Sequence, residues 1–166
     1  MREANAIAKS SIRDMMERIK ERTLPTVIDT AALDEVIDAF ERSRHSRILY
    51  AVDADNKFLG IIDVKDISKH VLFHYHEQGL DSRELIRIVT SESAKDFIKK
   101  ESCSAFVEEE YERVLERMLK NGADEIPVLS EKGEILGDIT IIDMIEYHVY
   151  KTGRDKLGIE PRQADS

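Results

Sequence analysis

The sequence predicts an α/β (α+β) fold in which two β-α-β-β-α repeats pack sheet to sheet with pseudo-twofold symmetry. The segment RILYAVDADNKFLGIIDVKDI (47–67) aligns with DEIPVLSEKGEILGDITIIDMI (124–145), with matched glycines and aspartates 77 residues apart. Upstream, LDEVIDAF (33–40) matches YERVLERM (111–118) at an offset of 78. Because a three-stranded sheet cannot bury both of its faces alone, the two repeats are expected to share a core.

The same elements follow one another in each repeat. A helical lead-in, IRDMM (12–16) or AKDFI (94–98), precedes a strand that begins with a hydroxyl side chain, Thr26 or Ser104. The next helix has apolar residues at the 3, 4, 7 spacing of a core-facing stripe. These residues are Leu33, Val36, Ile37 and Phe40 in the first repeat and Tyr111, Val114, Leu115 and Met118 in the second.

A hairpin and a final helix complete each repeat. Short apolar runs flank polar turns at 54–57 and 131–133, which is the expected hairpin signal. The final helix begins near 63–66 or 141–143, and in the first repeat it continues toward Gly79. The predicted domains are a first repeat with its lead-in (1–78), a helical linker (79–92), a second repeat (93–150) and a C-terminal tail (151–166).

Composition limits the classes of function. The chain of 166 residues has 42% hydrophobic and 36% charged residues, a globular mixture, and no apolar run approaches the roughly 20 residues that span a bilayer. Its N-terminus lacks the apolar stretch of a signal peptide, and its single cysteine, Cys103, cannot form an internal disulfide, so we expect a cytoplasmic protein that is not embedded in a membrane. With a net charge of −9 and no Lys/Arg cluster, binding to nucleic acid is not expected.

The repeated heptapeptide carries a family resemblance. It reads GDITIID at 137–143 and GIIDVKD at 60–66, and both copies fit the pattern G-h-h-T/S-x-x-D. With the matched repeats, these motifs make the chain similar to a tandem pair of CBS (cystathionine β-synthase) domains, or Bateman module. The resemblance implies that AMP, ADP, ATP or S-adenosylmethionine binds between the repeats, that the chain forms a homodimer, and that it regulates a separate enzyme, channel or transporter.

The second motif has a consistent chemical interpretation. Asp143, at the start of a helix, can accept hydrogen bonds from the 2′ and 3′ hydroxyls of a ribose. Thr140 places a hydroxyl beside the helix N-terminus, where a phosphate is favoured, and Gly137 lets the backbone approach a ligand. Each residue also has a purely structural interpretation, with Asp143 as a helix N-terminal acid, Thr140 as an N-cap and Gly137 as a hairpin residue.

The predicted ligand-binding set extends beyond this motif. An adenine ring is expected to lie on apolar walls, with backbone groups near Ser104 and Ala105 reading its edge. The full set is Ser104, Ala105, Phe106, Ile126, Pro127, Gly137, Asp138, Thr140 and Asp143, with Thr26 and Asp66 at the matching positions of the first repeat. No cofactor is required; Mg²⁺ is expected only as a companion of the nucleotide.

The first repeat departs from the pattern. Asp63 occupies the position of Thr140, and its carboxylate would repel a phosphate unless a cation intervened. Tyr50 stands at the position of Pro127, so it is expected to fill part of the adenine slot. We expect this first site to be empty, to bind a nucleoside without phosphates, or to hold a metal-bridged ligand, in that order.

Three alternatives to the nucleotide sensor remain open from the sequence. The repeats could form a ligand-free dimerisation scaffold, or Asp63, Asp66 and Asp138 could sense a divalent cation. His70 and His74, with His76 close by, have a spacing that can bind Zn²⁺, although an exposed helix is the better interpretation. An enzyme is the least favoured class, because no acid/base pair and no nucleophile with its base can be identified.

Overall fold

The computed structural model describes residues 10–19, 21–77, 81–100 and 102–157. Helices and strands follow one another in the order that the repeat predicts. The first half contains α1 (Ile12–Met16), β1 (Thr26–Ile28), α2 (Leu33–Arg42), β2 (Ile48–Val52), β3 (Phe58–Asp63) and α3 (Val64–Glu77). The second half contains α4 (Ser82–Ser91), a 3-10 helix (Ala94–Phe97), β4 (Ala105–Phe106), α5 (Tyr111–Asn121), β5 (Glu125–Leu129), β6 (Ile135–Thr140) and α6 (Ile141–Leu157).

Two three-stranded sheets have the same topology, in the orders β1-β2-β3 and β4-β5-β6. In each sheet the first strand is parallel to the second and the second is antiparallel to the third. The predicted hairpin turns are present, and Asn56 (φ 61°) and Gly133 (φ 81°) adopt the left-handed backbone that tight turns require. The predicted α+β fold of two β-α-β-β-α repeats is confirmed.

The sheets of the two repeats pack directly against each other. Buried side chains from both sheets form one apolar cluster at this contact: Tyr50, Val52, Leu129 and Ile135. The hairpins also exchange backbone hydrogen bonds, from the Phe58 N–H to the Gly133 carbonyl (3.0 Å) and from the Ile135 N–H to the Asn56 carbonyl (3.2 Å). This contact lies on the pseudo-twofold axis that relates the repeats.

Each lead-in segment crosses to the other repeat. On α1, Ile12 and Met15 are fully buried in the core of the second repeat, and the Ile12 N–H donates to the Glu109 carbonyl at 2.8 Å. The lead-in of the second repeat packs on the first, where Ala94 is buried and its N–H donates to the Ala31 carbonyl at 2.8 Å. Either repeat therefore owes part of its core to a segment that precedes the other.

Some details differ from the sequence-based predictions. Ile37 was placed on the buried stripe of α2, but its side chain is 38% exposed, because the stripe is rotated so that Ala39 faces the core instead. Helix α6 continues to Leu157, into the segment predicted as a tail from residue 151, while residues 158–166 lie outside the described part. The predicted linker helix is present as α4; Gly79 also lies outside the described residues.

Candidate functional site

The second motif forms the junction between β6 and α6. Strand β6 ends at Thr140, whose backbone N–H and Oγ1 donate to Oδ2 of Asp143 at 2.7 and 2.8 Å. In return, the Asp143 N–H donates to Oγ1 of Thr140 at 3.2 Å. These reciprocal bonds are a capping box, which satisfies backbone donors at the start of the helix. The two predicted site residues are thus brought together, in contacts that also serve as a helix cap.

Arg22, in the segment between α1 and β1, also binds this junction, and sequence reasoning missed it. Its Nη2 and Nη1 lie 2.7 and 3.3 Å from the carboxylate oxygens of Asp143. Its Nε lies 2.7 Å from Oδ1 of Asp138, and its Nη2 donates to the Asp138 carbonyl at 3.1 Å. The side chains of Arg22, Asp138 and Asp143 are 35%, 6% and 14% exposed, so the guanidinium bridges two largely buried carboxylates.

These contacts shift the ionisation of both partners. Burial raises the pKa of Asp143, but hydrogen bonds from Arg22 and Thr140 outweigh it and leave that pKa below its ordinary value. The hydrogen bond to Asp143, together with Asp138, raises the pKa of Arg22 against the opposing effect of burial. The carboxylate of Asp143 therefore stays ionised at neutral pH, as a ribose acceptor must.

An open cavity of about 350 Å³ lies beside Arg22. Its walls are mainly apolar: Met16, Ile19, Glu21, Arg22, Leu24, Leu136, Gly137 and Asp138. Gly137 allows this close approach, since a Cβ atom there would lie 2.3 Å from Cε of Met16. The cavity thus joins the lead-in to two predicted site residues, Gly137 and Asp138.

The predicted adenine wall lies elsewhere. Ala105 and Ile126 are fully buried in the core of the second repeat, Pro127 is also buried, and Phe106 is exposed at the end of β4. Ser104 is half-buried, and its carbonyl accepts a hydrogen bond from Arg117. Because β4 is separated from β6 by β5, none of these residues lines the cavity beside Arg22.

A larger cleft of about 600 Å³ lies between the repeats, and Thr140 stands on its edge. The polar walls mix charges: Arg47 and Lys65 face Asp63, Asp124 and Glu125. Burial raises the pKa of Glu125, although a hydrogen bond from Ser46 opposes the shift. Cys103 also lines this cleft.

The first motif is arranged differently. Asp63 caps α3, where its Oδ1 accepts from the Lys65 N–H at 2.8 Å, and Asp66 pairs with Nζ of Lys99 at 2.6 Å. The backbone of Lys99 pairs with that of Ile61 through bonds of 2.8 and 3.1 Å. A Cβ atom on Gly60 would lie 2.3 Å from the Lys99 carbonyl oxygen, so backbone fills the space that the second motif leaves open.

The remaining first-repeat residues are not part of either cavity. Thr26 begins β1 opposite Tyr50, as predicted for the strand, but it lines neither cavity. Tyr50 is fully buried in the contact between the sheets, and burial raises the pKa of its phenol. Its hydroxyl has no hydrogen-bond partner within the protein.

The histidine cluster gives no metal site among the described residues. Nε2 of His70 lies 2.6 Å from Oε2 of Glu92, and its ring meets Phe97 edge to face at 5.1 Å. The side chains of His74 and His76 lie outside the described part. Within that part, no group of three or more His, Cys, Asp or Glu side chains could hold a metal ion.

The duplicated sheets, crossed lead-ins and repeated motif define a tandem-repeat module. The sequence model of the CBS domain matches residues 12–72 and 94–150, which together make up more than half of the chain. The chain therefore belongs to the CBS domain family and contains two copies of the domain. Paired CBS domains are generally regulatory modules.

Solved structures of CBS domain pairs share this fold. A CBS domain-containing protein from Thermotoga maritima is 24% identical, with a TM-score of 0.64 over 89% of this chain and 99% of that one. CBSX2 in complex with AMP is 12% identical, with a TM-score of 0.61 over 86% and 98% of the two chains. The cytosolic domain of the Mg²⁺ channel MgtE in complex with ATP is 17% identical, with a TM-score of 0.52 over 74% and 44%.

Among the residues that the structure describes, no helix has the length and apolar character needed to cross a lipid bilayer.

Proposed function

We propose that this chain is a regulatory sensor that binds an adenosine-type ligand, namely AMP, ADP, ATP or S-adenosylmethionine, mainly at its second repeat. The observation that carries the proposal is the ionised, hydrogen-bonded Asp143 at the start of α6, next to the cavity beside Arg22. In this proposal Asp143 accepts the ribose hydroxyls, and Thr140 directs its hydroxyl toward phosphate in the cleft between the repeats.

Two further observations support the choice of ligand. The cavity beside Arg22 has apolar walls and a volume of about 350 Å³, within the range of small-molecule pockets. CBSX2 and MgtE, which share the fold, have been solved with AMP and ATP respectively. With a di- or triphosphate, Mg²⁺ would accompany the ligand, since the central cleft already contains three acidic side chains.

The sensor is proposed to act on a separate protein from the cytoplasm, without catalysis of its own. Ligand binding would change the arrangement of the two repeats, which share a core and exchange lead-ins. A homodimer is part of the proposal: Phe73 on α3 and Ile142 and Ile145 on α6 are large apolar side chains that stand exposed.

Titration calorimetry with AMP, ADP, ATP and S-adenosylmethionine tests the proposal. At least one ligand should bind the wild type, and Asp143→Ala should weaken it by at least about tenfold, because the ribose loses a charged acceptor. Glu146→Ala, which removes an exposed carboxylate one turn further along α6, is the matched control and should bind normally. Binding that survives Asp143→Ala unchanged, or no binding by the wild type, would contradict the proposal.

A ligand-free scaffold is the second candidate, favoured by the protein groups that already bind Asp143. It predicts that none of the four ligands changes the melting temperature, whereas the sensor predicts a rise that grows with ligand concentration. A divalent-cation sensor predicts that Mg²⁺ or Ca²⁺ alone raises the melting temperature. Asp66 and Asp138 each already hold a basic side chain, which gives the cation less reason to bind.

A further inference from the structure

Both ribose-position aspartates are bound by basic side chains of the lead-in segments. Arg22 binds Asp143, and Lys99 binds Asp66. Arg22 and Lys99 are 77 residues apart, which is also the spacing of the two aspartates. The same contact is therefore built twice, each time by a segment that crosses from one repeat to the other.

The carboxylate of Asp143 has no acceptor position left for a ribose. An ionised carboxylate offers about four lone-pair positions. The N–H and hydroxyl of Thr140 use two of them, and Nη1 and Nη2 of Arg22 use the others. The two hydroxyls of a ribose would bring two more donors, so they can bond to Asp143 only when Arg22 withdraws.

Loss of a proton cannot release Arg22. A guanidinium stays charged in proteins, and the contacts with Asp143 and Asp138 stabilise its charged form further. With no titration to free the carboxylate, only a competing donor can take the place of the guanidinium. The diol of a ribose is such a donor, and it carries no charge of its own.

We propose that Arg22 is an internal competitor for the ribose position of the second repeat, so that a nucleoside binds only by displacing its guanidinium from Asp143. This inference rests on the proposed function, because it concerns the same ligand and the same carboxylate. Arg22 then sets the affinity of the sensor. It also links binding to the segment between α1 and β1, which joins the core of one repeat to a strand of the other.

The competitor of the first repeat is different. Lys99 makes a single contact with Asp66, and the side chains are 51% and 33% exposed, so this ion pair is weaker than the buried two-pronged one. The backbone of Lys99, however, is paired with Ile61 and stands over Gly60. Removal of the Lys99 side chain therefore leaves the first slot filled.

Calorimetry with adenosine as an uncharged probe tests the proposal. Arg22→Gln should bind adenosine about tenfold more tightly than the wild type, since two charge-assisted bonds no longer have to be broken. 2′-Deoxyadenosine, which lacks half of the diol, should gain much less. Arg18→Gln removes the same charge from the same segment, but Arg18 lies 3.5 Å over the Tyr150 ring, away from the aspartates, and should behave as wild type.

A second variant covers a failure of Arg22→Gln to fold. Arg22→Lys keeps the charge but loses the fork that holds both oxygens, and it should show a smaller gain in affinity for adenosine. Circular dichroism and thermal melting establish which variants are folded.

The outcomes separate this inference from the proposed function. Adenosine binding that depends on Asp143 and is unchanged or weakened in the folded Arg22 variants would keep the proposed function and overturn the competitor. Tighter binding in those variants, with the diol dependence, supports both. Failure of every variant to bind adenosine overturns both.

Discussion

Alanine at Gly60 should destabilise the protein far more than alanine at Gly137, although the two glycines occupy matched positions of the repeat. At Gly60 an added Cβ lies 2.3 Å from the Lys99 carbonyl oxygen and 2.7 Å from Cγ2 of Ile98. The first distance is more than an ångström below an ordinary contact of about 3.5 Å, and backbone paired with Ile61 cannot yield easily.

The magnitude follows from two effects. Gly60 has φ +150°, a conformation that costs an L-residue about 1–3 kcal/mol. Forcing the backbone of Lys99 away adds an overpacking cost of about 1–3 kcal/mol. Together we expect a loss of about 2–6 kcal/mol in the free energy of unfolding, a large part of the roughly 5–15 kcal/mol of an ordinary domain.

At Gly137 the same change meets only Cε of Met16, the flexible end of a side chain, at 2.3 Å. We expect a loss of about 1 kcal/mol or less there, because a methionine can change rotamer. Urea unfolding followed by circular dichroism measures both variants, and equal slopes in denaturant establish that their stabilities can be compared. A Gly60→Ala variant no less stable than Gly137→Ala would refute the difference between the two slots.

Three more predictions concern stability. Asp143 has a lowered pKa in the folded protein, so its contribution is present above the unfolded pKa of about 3.9 and is lost as pH falls below it; Asp143→Asn should flatten the acid limb of a stability profile. Glu125 has a raised pKa, so ionising it near neutral pH costs stability; Glu125→Gln should raise the melting temperature at pH 7 and leave it unchanged at pH 3. Ile12→Ala should cost about 2–5 kcal/mol in urea unfolding, because this lead-in residue is fully buried in the second core; a loss below 1 kcal/mol would contradict that packing.

The sequence predicted the architecture well because the repeat is periodic. An offset of 77 residues matched glycines, aspartates and hairpins, and each matched pair occupies the same place in its own sheet. The junction of Thr140 and Asp143 was also predictable, since a hydroxyl followed three residues later by an acid is a local capping signal.

The partners of that junction could not be predicted in the same way. Arg22 reaches Asp143 across 121 residues of sequence through a lead-in that crosses between repeats, and no local periodicity encodes such a crossing. One signal was available, because Arg22 and Lys99 share the offset of the aspartates they bind. The wall around Ala105 and Phe106 was placed by proximity in sequence, whereas sheet order puts β5 between β4 and β6.

The proposed sensor is tested most directly by titrating AMP into the wild type and the Asp143→Ala variant side by side. The account predicts saturable binding to the wild type that is weakened by at least about tenfold in the variant, while the variant remains folded by circular dichroism. Equal affinities in the two proteins, or no heat of binding in either, would contradict it.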